Sequence, residues 1–155
     1  MQTVPSILIT GANRGIGREL ALCCAKNNWS THATFRTSPP ATSSEIDYFQ
    51  MDVTLENQVC DAMAALKEKM GHLDVLVHNA GVFPEPTDAP FDALKPEWWE
   101  QTYQTHVLGA FYVIKAALPL LRKSTSPRIV NLSSGASSIT QRSGRRYAYG
   151  ASKAA

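Results

Sequence analysis

The sequence predicts an α/β fold, a parallel sheet with helices packed on both faces, and three observations predict it. Short runs rich in β-branched and aliphatic residues alternate with stretches whose apolar residues recur at helical spacing. The runs are apolar at successive positions, as in strands buried on both faces, rather than at every second one. A glycine-rich turn then joins the first run directly to the first helical stretch.

Residues 6–10 (SILIT) form the first strand and residues 11–17 break it. A helix over 16–26 carries Ile16, Leu20, Ala21 and Cys24 on its apolar face and stops at Asn27-Asn28. Residues 31–36 are the second strand; residues 46–51 are the third and end at Asp52. The ten residues between them are too few for a parallel crossover with a full helix, so coil or a single turn is expected. Thr54 is placed to cap a helix running to Lys69, with Val59, Met63 and Leu66 inward and Gly71 just past its end. Residues 73–78 (LDVLVH) are the fourth strand, and the Pro- and acid-rich residues 82–95 form a surface loop. Pro96 suits the first turn of a long helix through Leu121, with Pro119 placed to kink its end. Of Trp98 and Trp99, one belongs in the core, since neighbours on a helix face different ways. Residues 128–132 (RIVNL) are the fifth strand; a Ser/Gly/Arg-rich loop follows, and a last helix begins near Tyr147.

Composition excludes several classes. Hydrophobic residues make up 44% and charged residues 18% of the 155, against a usual charged share of about 25%, which argues against a disordered chain, a coiled coil or a nucleic-acid-binding arm. Fifteen basic and thirteen acidic residues leave +2, giving no support for binding nucleic acid or an anionic membrane. No uninterrupted apolar run is long enough for a membrane span, and the start, MQTVPSILIT, has no basic n-region of a signal peptide. Cys23, Cys24 and Cys60 make no disulfide framework; they read as reduced thiols of a cytoplasmic protein.

The turn Thr10-Gly11-Ala12-Asn13-Arg14-Gly15-Ile16-Gly17 has the spacing G-x-x-x-G-x-G. Its glycines allow a sharp turn and close approach of a pyrophosphate, and the helix behind it offers free N–H groups and the positive end of its dipole. Tyr149 and Lys153, four residues apart, share one helix face. A free phenol titrates near 10, and a neighbouring ammonium favours its ionised form, which suits a general acid/base. Strand two ends at Phe35-Arg36 with no acidic residue there; a guanidinium suits a ribose 2′-phosphate, and Arg14 can reach the same group, unless both arginines are simply solvated. Arg142, Arg145 and Arg146 before Tyr149 read as a solvated loop face, or as an attraction for an anionic substrate.

These motifs, in this order, resemble the short-chain dehydrogenases/reductases. The glycine turn is similar to that family's T-G-x-x-x-G-x-G. Asp52-Val53 resembles its adenine-contacting segment, Asn79-Ala80-Gly81 its N-A-G turn, with His78 where a first Asn is common, and Tyr149 to Lys153 its Y-x-x-x-K. Asn131 to Ser134 resembles the segment that bears the catalytic serine; Ser134 is the expected residue and Ser133 competes with it. The interval from Ser134 to Tyr149 is longer than is common, as in C-factor-like and carbonyl-reductase-like members, which also tend to carry Y-x-x-S-K. His106 departs from the family: in His106-Val107-Leu108-Gly109 it stands where an Asn completes a tetrad and holds a water. The imidazole can substitute for that Asn, weaken the proton relay, or simply pack at a helix bend.

The resemblance implies a Rossmann-type doubly wound sheet in the order 3-2-1-4-5, with a dinucleotide across the carboxyl ends of the strands. It implies hydride transfer between NADP(H), preferred over NAD(H), and a small carbonyl or alcohol substrate, with Tyr149 as general acid/base, Ser134 polarising the carbonyl and Lys153 tuning Tyr149 and binding the ribose. Cofactor contacts fall on Gly11, Asn13, Arg14, Gly15, Ile16, Gly17, Arg36, Asp52, Val53, Asn79, Ala80, Gly81, Tyr149 and Lys153. No metal is implied. Family members usually continue well past the lysine. Residues 1–155 are therefore expected to be the first part of a longer single domain, with a sheet incomplete on its C-terminal side and a homo-oligomer only in a longer form. Its last helix, about two turns long, is expected to fray. The rival class is a non-catalytic nucleotide-binding pseudoenzyme, a redox sensor or an inactive fragment of a longer reductase; His106 favours it and the Ser134-Tyr149-Lys153 set argues against it.

Overall fold

The computed structural model describes residues 4–40, 44–140 and 144–155. Strands β1 (Ser6–Ile9), β2 (Ser30–Phe35), β3 (Ile46–Gln50), β4 (Val75–His78) and β5 (Arg128–Asn131) form one parallel sheet in the order β3-β2-β1-β4-β5. Around it lie α1 (Gly15–Lys26), α2 (Glu56–Lys69), α3 (Pro96–Tyr103), α4 (Gly109–Leu121) and α5 (Tyr147–Ala154). The expected topology is the one present.

The apolar runs bury both faces by simple alternation. Ile7 and Ile9 of β1 join Val75 and Val77 of β4 on one face, covered by α1; Leu8 and Leu76 turn to the other, against Val59, Met63 and Leu66 of α2 and Val113, Ala117 and Leu120 of α4. The stripe that α1 buries is Gly17, Ala21 and Ala25, small residues four apart that bring the helix close to the sheet. Ile16, expected on that stripe, is 70% exposed. Asn28 takes the left-handed conformation (φ 60°) just after α1, as a helix-ending Asn can. The described residues between β2 and β3 contain no helix, as their number requires; 41–43 lie outside the described residues.

Three further expectations are corrected. Thr54 does not cap α2: its N–H and hydroxyl both donate to Asp52 Oδ1 (2.9 and 2.8 Å), and α2 starts after an extended Leu55 with no side-chain cap. Neither Trp98 nor Trp99 enters the core, because α3 buries only Thr102; both are half-buried. Helix α4 runs to Leu121 as expected, with Pro119 inside its last turn and Arg122 N–H closing on Leu118 O at 2.9 Å. Finally, α3 and α4 are joined through a π-helical turn, Gln104–Leu108, rather than by an uninterrupted α-helix. By length and apolarity alone Pro96–Leu121 could cross a membrane, with mean hydropathy 1.2. Its inward face is occupied by the core residues just named, which is reason enough for that composition.

Strands β3 and β5 are the two edges of the sheet, and β5 is the open one. Its residues are exposed, Ile129 at 45% and Val130 at 43%.

Candidate active site

The carboxyl ends of β1 and β4 are latched together. Thr10 Oγ1 accepts the N–H groups of Asn79 (3.1 Å) and Ala80 (3.0 Å), and Asn79 Nδ2 donates to the carbonyls of Thr10 (2.9 Å) and Gly11 (3.0 Å). Gly11, at φ +66°, would place a Cβ 2.8 Å from Ala80 Cα, so the two turns touch only because it has none. This is the switch point of the sheet, where a crevice opens in doubly wound folds.

An open cleft of about 670 Å³ runs from that point along the ends of β1, β2, β3 and β4. Gly11, Asn13, Arg14, Gly15, Ile16, Arg36, Asp52, Val53, Asn79, Ala80 and Gly81 line it, all of them expected there from sequence. Gly17 does not: it is buried beneath the Asn79 side chain, and its missing Cβ makes room for that amide. The residues fit a dinucleotide on two structural grounds. Gly15, at φ +59°, has nothing within 4 Å of where a Cβ would be, leaving space beside the first turn of α1. That turn has no side-chain cap and no acidic residue, so its free N–H groups and dipole are left for an anion. Arg14 and Arg36 stand exposed at the rim, and β2 ends with no carboxylate to oppose a phosphate. Asp52 Oδ1 is committed to Thr54.

Beyond Gly81 the cleft gives way to a second group of residues. His106 sits in the π turn, 6% exposed, where a Cβ on Gly81 would meet its Nε2 at 3.2 Å. Nε2 accepts Val82 N–H (3.1 Å), which places the ring proton on Nδ1, facing Ser152 Oγ at 2.8 Å. Ser152 Oγ in turn donates to Tyr149 O at 2.9 Å. Both ring nitrogens thus have protein partners. Burial, then the positive Lys153, then His78 push the His106 pKa down to about 4. His78, 2% exposed at the end of β4, is also pushed down to about 4, by burial first and Lys153 second, with a hydrogen bond to Asn131 working against the shift. Its Nε2 has no partner among the described residues. Both imidazoles are neutral near pH 7.

Helix α5 carries Tyr149 and Lys153, and it is tied down rather than frayed. Lys153 Nζ donates to Leu132 O at 2.8 Å, and burial lowers the Lys153 pKa from the ordinary lysine value. The Tyr149 ring lies edge-on to Phe83 (5.0 Å between centroids) and to His106 (5.5 Å). Glu85, 2% exposed, bonds the N–H groups of Ala148 (3.1 Å) and Tyr149 (2.8 Å). The two competing serines differ in their bonds. Ser133 Oγ donates to Lys153 O (3.1 Å) and so commits its proton. Ser134 Oγ accepts Ala136 N–H (3.2 Å) as the cap of a short 3-10 turn, which leaves its own proton uncommitted among the described residues. Tyr149, Lys153 and Ser134 do not line the cleft itself; they stand past its Gly81 end, on the β5 side.

Residues 5–155 match the family described as short chain dehydrogenase. The chain belongs to the short-chain dehydrogenase family. It is 31% identical over 144 residues to the 3-oxoacyl-acyl-carrier-protein reductase FabG of Staphylococcus aureus, covering 86% of this chain and 57% of that protein. Among solved structures, it resembles the aldohexose dehydrogenase of Thermoplasma acidophilum with a TM-score of 0.86 at 28% identity, over 97% of this chain and 56% of that one. It also resembles an NADPH-bound carbonyl reductase from chicken fatty liver, with a TM-score of 0.87 at 25% identity, over 97% of this chain and 66% of that one. The chain spans about half the length of the curated relatives it matches.

Within this short-chain dehydrogenase, sequence reasoning missed Glu85 and Phe83, which lie in the loop read only as surface. Nothing local marks them: an acid and an aromatic in a Pro-rich loop have no periodicity to show that Glu85 is buried or that Phe83 meets the Tyr149 ring. Ser152 was visible as part of Y-x-x-S-K, but its link to His106 was not. Of the loop arginines, Arg142 lies outside the described residues; Arg146 packs over the Phe83 ring (5.9 Å) and Arg145 is exposed.

Proposed function

We propose that this chain is the dinucleotide-binding and proton-transferring part of an NADP(H)-dependent reductase of small carbonyl compounds, working equally as an alcohol dehydrogenase in reverse, in a reducing, cytoplasmic setting. The observation that carries this reading is the juxtaposition of α5, bearing Tyr149 and Lys153 on one face, with Ser134 and the Gly81 end of the open cleft. A bound nicotinamide supplies the hydride that goes to the carbonyl carbon. Tyr149 gives its phenolic proton to the carbonyl oxygen, and Ser134 donates its uncommitted proton to the same oxygen as negative charge develops there. Lys153, on the same face of α5 and held by Leu132 O, would bind the ribose of the cofactor. At the other end, Arg36 and Arg14 favour the 2′-phosphate of NADP(H) over the bare ribose of NAD(H).

The experiment is NADPH oxidation with a panel of simple carbonyls, in this chain and in Tyr149→Phe. Turnover should fall by about 10²–10⁴ in the variant, the usual contribution of a positioned proton donor, with NADPH binding unchanged. Turnover that survives the substitution removes Tyr149 from the chemistry. NADPH binding without any turnover, in this chain and in a longer form that contains it, favours a nucleotide-binding protein instead.

A further inference from the structure

We infer that Glu85 is a positioning residue for Tyr149: its buried carboxylate holds the main-chain N–H of the tyrosine and so sets where the phenol stands, a role that rests on the proton transfer proposed above. An α-helix leaves its first N–H groups without partners inside the helix. In α5 the first internal bond runs from Gly150 N–H to Arg146 O (2.8 Å), and Arg146 provides no side-chain cap. The N–H groups of Ala148 and Tyr149 therefore need acceptors from elsewhere. Glu85 provides one oxygen to each, Oε2 to Ala148 at 3.1 Å and Oε1 to Tyr149 at 2.8 Å, across 63 and 64 residues of sequence. At 2% exposure, water does not compete for these bonds. A carboxylate there also meets the positive end of the helix dipole, and bonds to an ionised acceptor are the stronger kind.

The same tyrosine is held on its other side. Its carbonyl accepts Ser152 Oγ, which is bonded to His106 Nδ1, so both main-chain polar groups of Tyr149 have side-chain partners. Phe83, two residues before Glu85, lies edge-on to the phenol ring at 5.0 Å. One short stretch of loop after β4 thus fixes both the backbone and the ring of Tyr149. That stretch follows directly on Gly81 and Val82, which line the cleft. Proton transfer depends steeply on the placement of the donor. Most of the expected cofactor contacts lie off α5, and Lys153, which would bind the ribose from it, has its own tie to Leu132 O. Losing Glu85 therefore acts on kcat and leaves the KM for NADPH alone.

The test compares the parent chain with Glu85→Ala and Glu85→Gln, which keeps the volume and one acceptor oxygen. Three quantities are read: amide exchange at Ala148 and Tyr149, nuclear Overhauser contacts between the Phe83 and Tyr149 rings, and kcat and KM in carbonyl reduction. Loss of bonds to a charged acceptor predicts exchange at both amides faster by about tenfold or more in Glu85→Ala, with weakened ring contacts. It predicts a kcat lower by about tenfold or more, an unchanged KM for NADPH, and an intermediate effect in Glu85→Gln. If Glu85→Ala does not fold, the same readings in Glu85→Gln decide. Unchanged exchange and ring contacts overturn the inference, as does a kcat that stays at the parent value while exchange rises. If neither this chain nor a longer form that contains it turns over a carbonyl, the proposed function fails; the ring contacts and exchange still decide whether Glu85 places Tyr149.

Discussion

Helices α1 and α5 both begin on the side of the sheet where the strands end, and their first turns are finished in opposite ways. The first turn of α1 has no side-chain cap, no acid, and empty space beside Gly15. The first turn of α5 is closed by a buried carboxylate brought from a distant loop. An uncapped N-terminus on the surface is merely solvated. At the mouth of a cleft its N–H groups and dipole stay available to an anion. A capped N-terminus is a fixed point, and Tyr149 is the third residue of α5. On the function proposed above, the difference teaches that bonds stay unmade where the cofactor would bind and are completed where the proton donor would be held still.

The largest effect expected from this contrast is on stability in acid. His78 and His106 stand beside α5, both pushed down to about 4 by burial first and the Lys153 charge second, against about 6.5 for an unfolded histidine. Between those values the unfolded chain binds more protons than the folded one. Stability therefore is full above about pH 6.5 and is lost as pH falls towards 4, by about 1.4 kcal/mol per pH unit for each histidine. Urea denaturation at pH 7, 5.5 and 4.5 reads this slope, and His106→Gln should flatten it. A flat profile in the parent chain means the two rings are not held neutral.

Next in size is a substitution that gives α1 what α5 has. Ile16→Asp sets a carboxylate on the second residue of α1, at a side chain that is 70% exposed and lines the cleft. It should weaken NADPH binding by about a hundredfold, having opposed the anion where the parent leaves donors free. Fluorescence titration measures it; undiminished affinity would show that α1 is not the anion site. Arg36→Ala should cost about ten- to hundredfold in NADPH affinity, the loss of a bond to a charged group, with NADH affinity unchanged. Equal losses for the two cofactors would remove the arginine from the choice between them. The smallest effect is the reverse side of the Ile16→Asp substitution: without cofactor, the variant should be more stable by about 0.3–1 kcal/mol, because an acid complements the dipole. A melting experiment checks the sign.

Much of the fold was legible because the signals are local. The runs SILIT and LDVLVH declare buried strands whichever helices cover them, and Val59, Met63 and Leu66 declare one face of α2. Ile16 misled because apolarity alone does not say which side of a helix meets the sheet; the close approach of α1 chose the small residues Gly17, Ala21 and Ala25. Thr54 looked like a cap until Asp52 took its hydroxyl. The tryptophans looked like core until α3 proved to bury a threonine.

By itself, the sequence determined the order of the elements, the glycine turn at the end of β1, and the placement of Tyr149 and Lys153 on one helix face, since each depends on residues within a few positions of one another. Only the tertiary structure decided which serine keeps a free proton, what both nitrogens of His106 bind, and that Glu85 caps α5. Those outcomes depend on partners 20 to 64 residues apart, from Ser133 with Lys153 to Glu85 with Tyr149. A hydrogen bond requires a separation near 3 Å and a direction, and no pattern of residue types along the chain specifies either until the sheet has set the elements side by side.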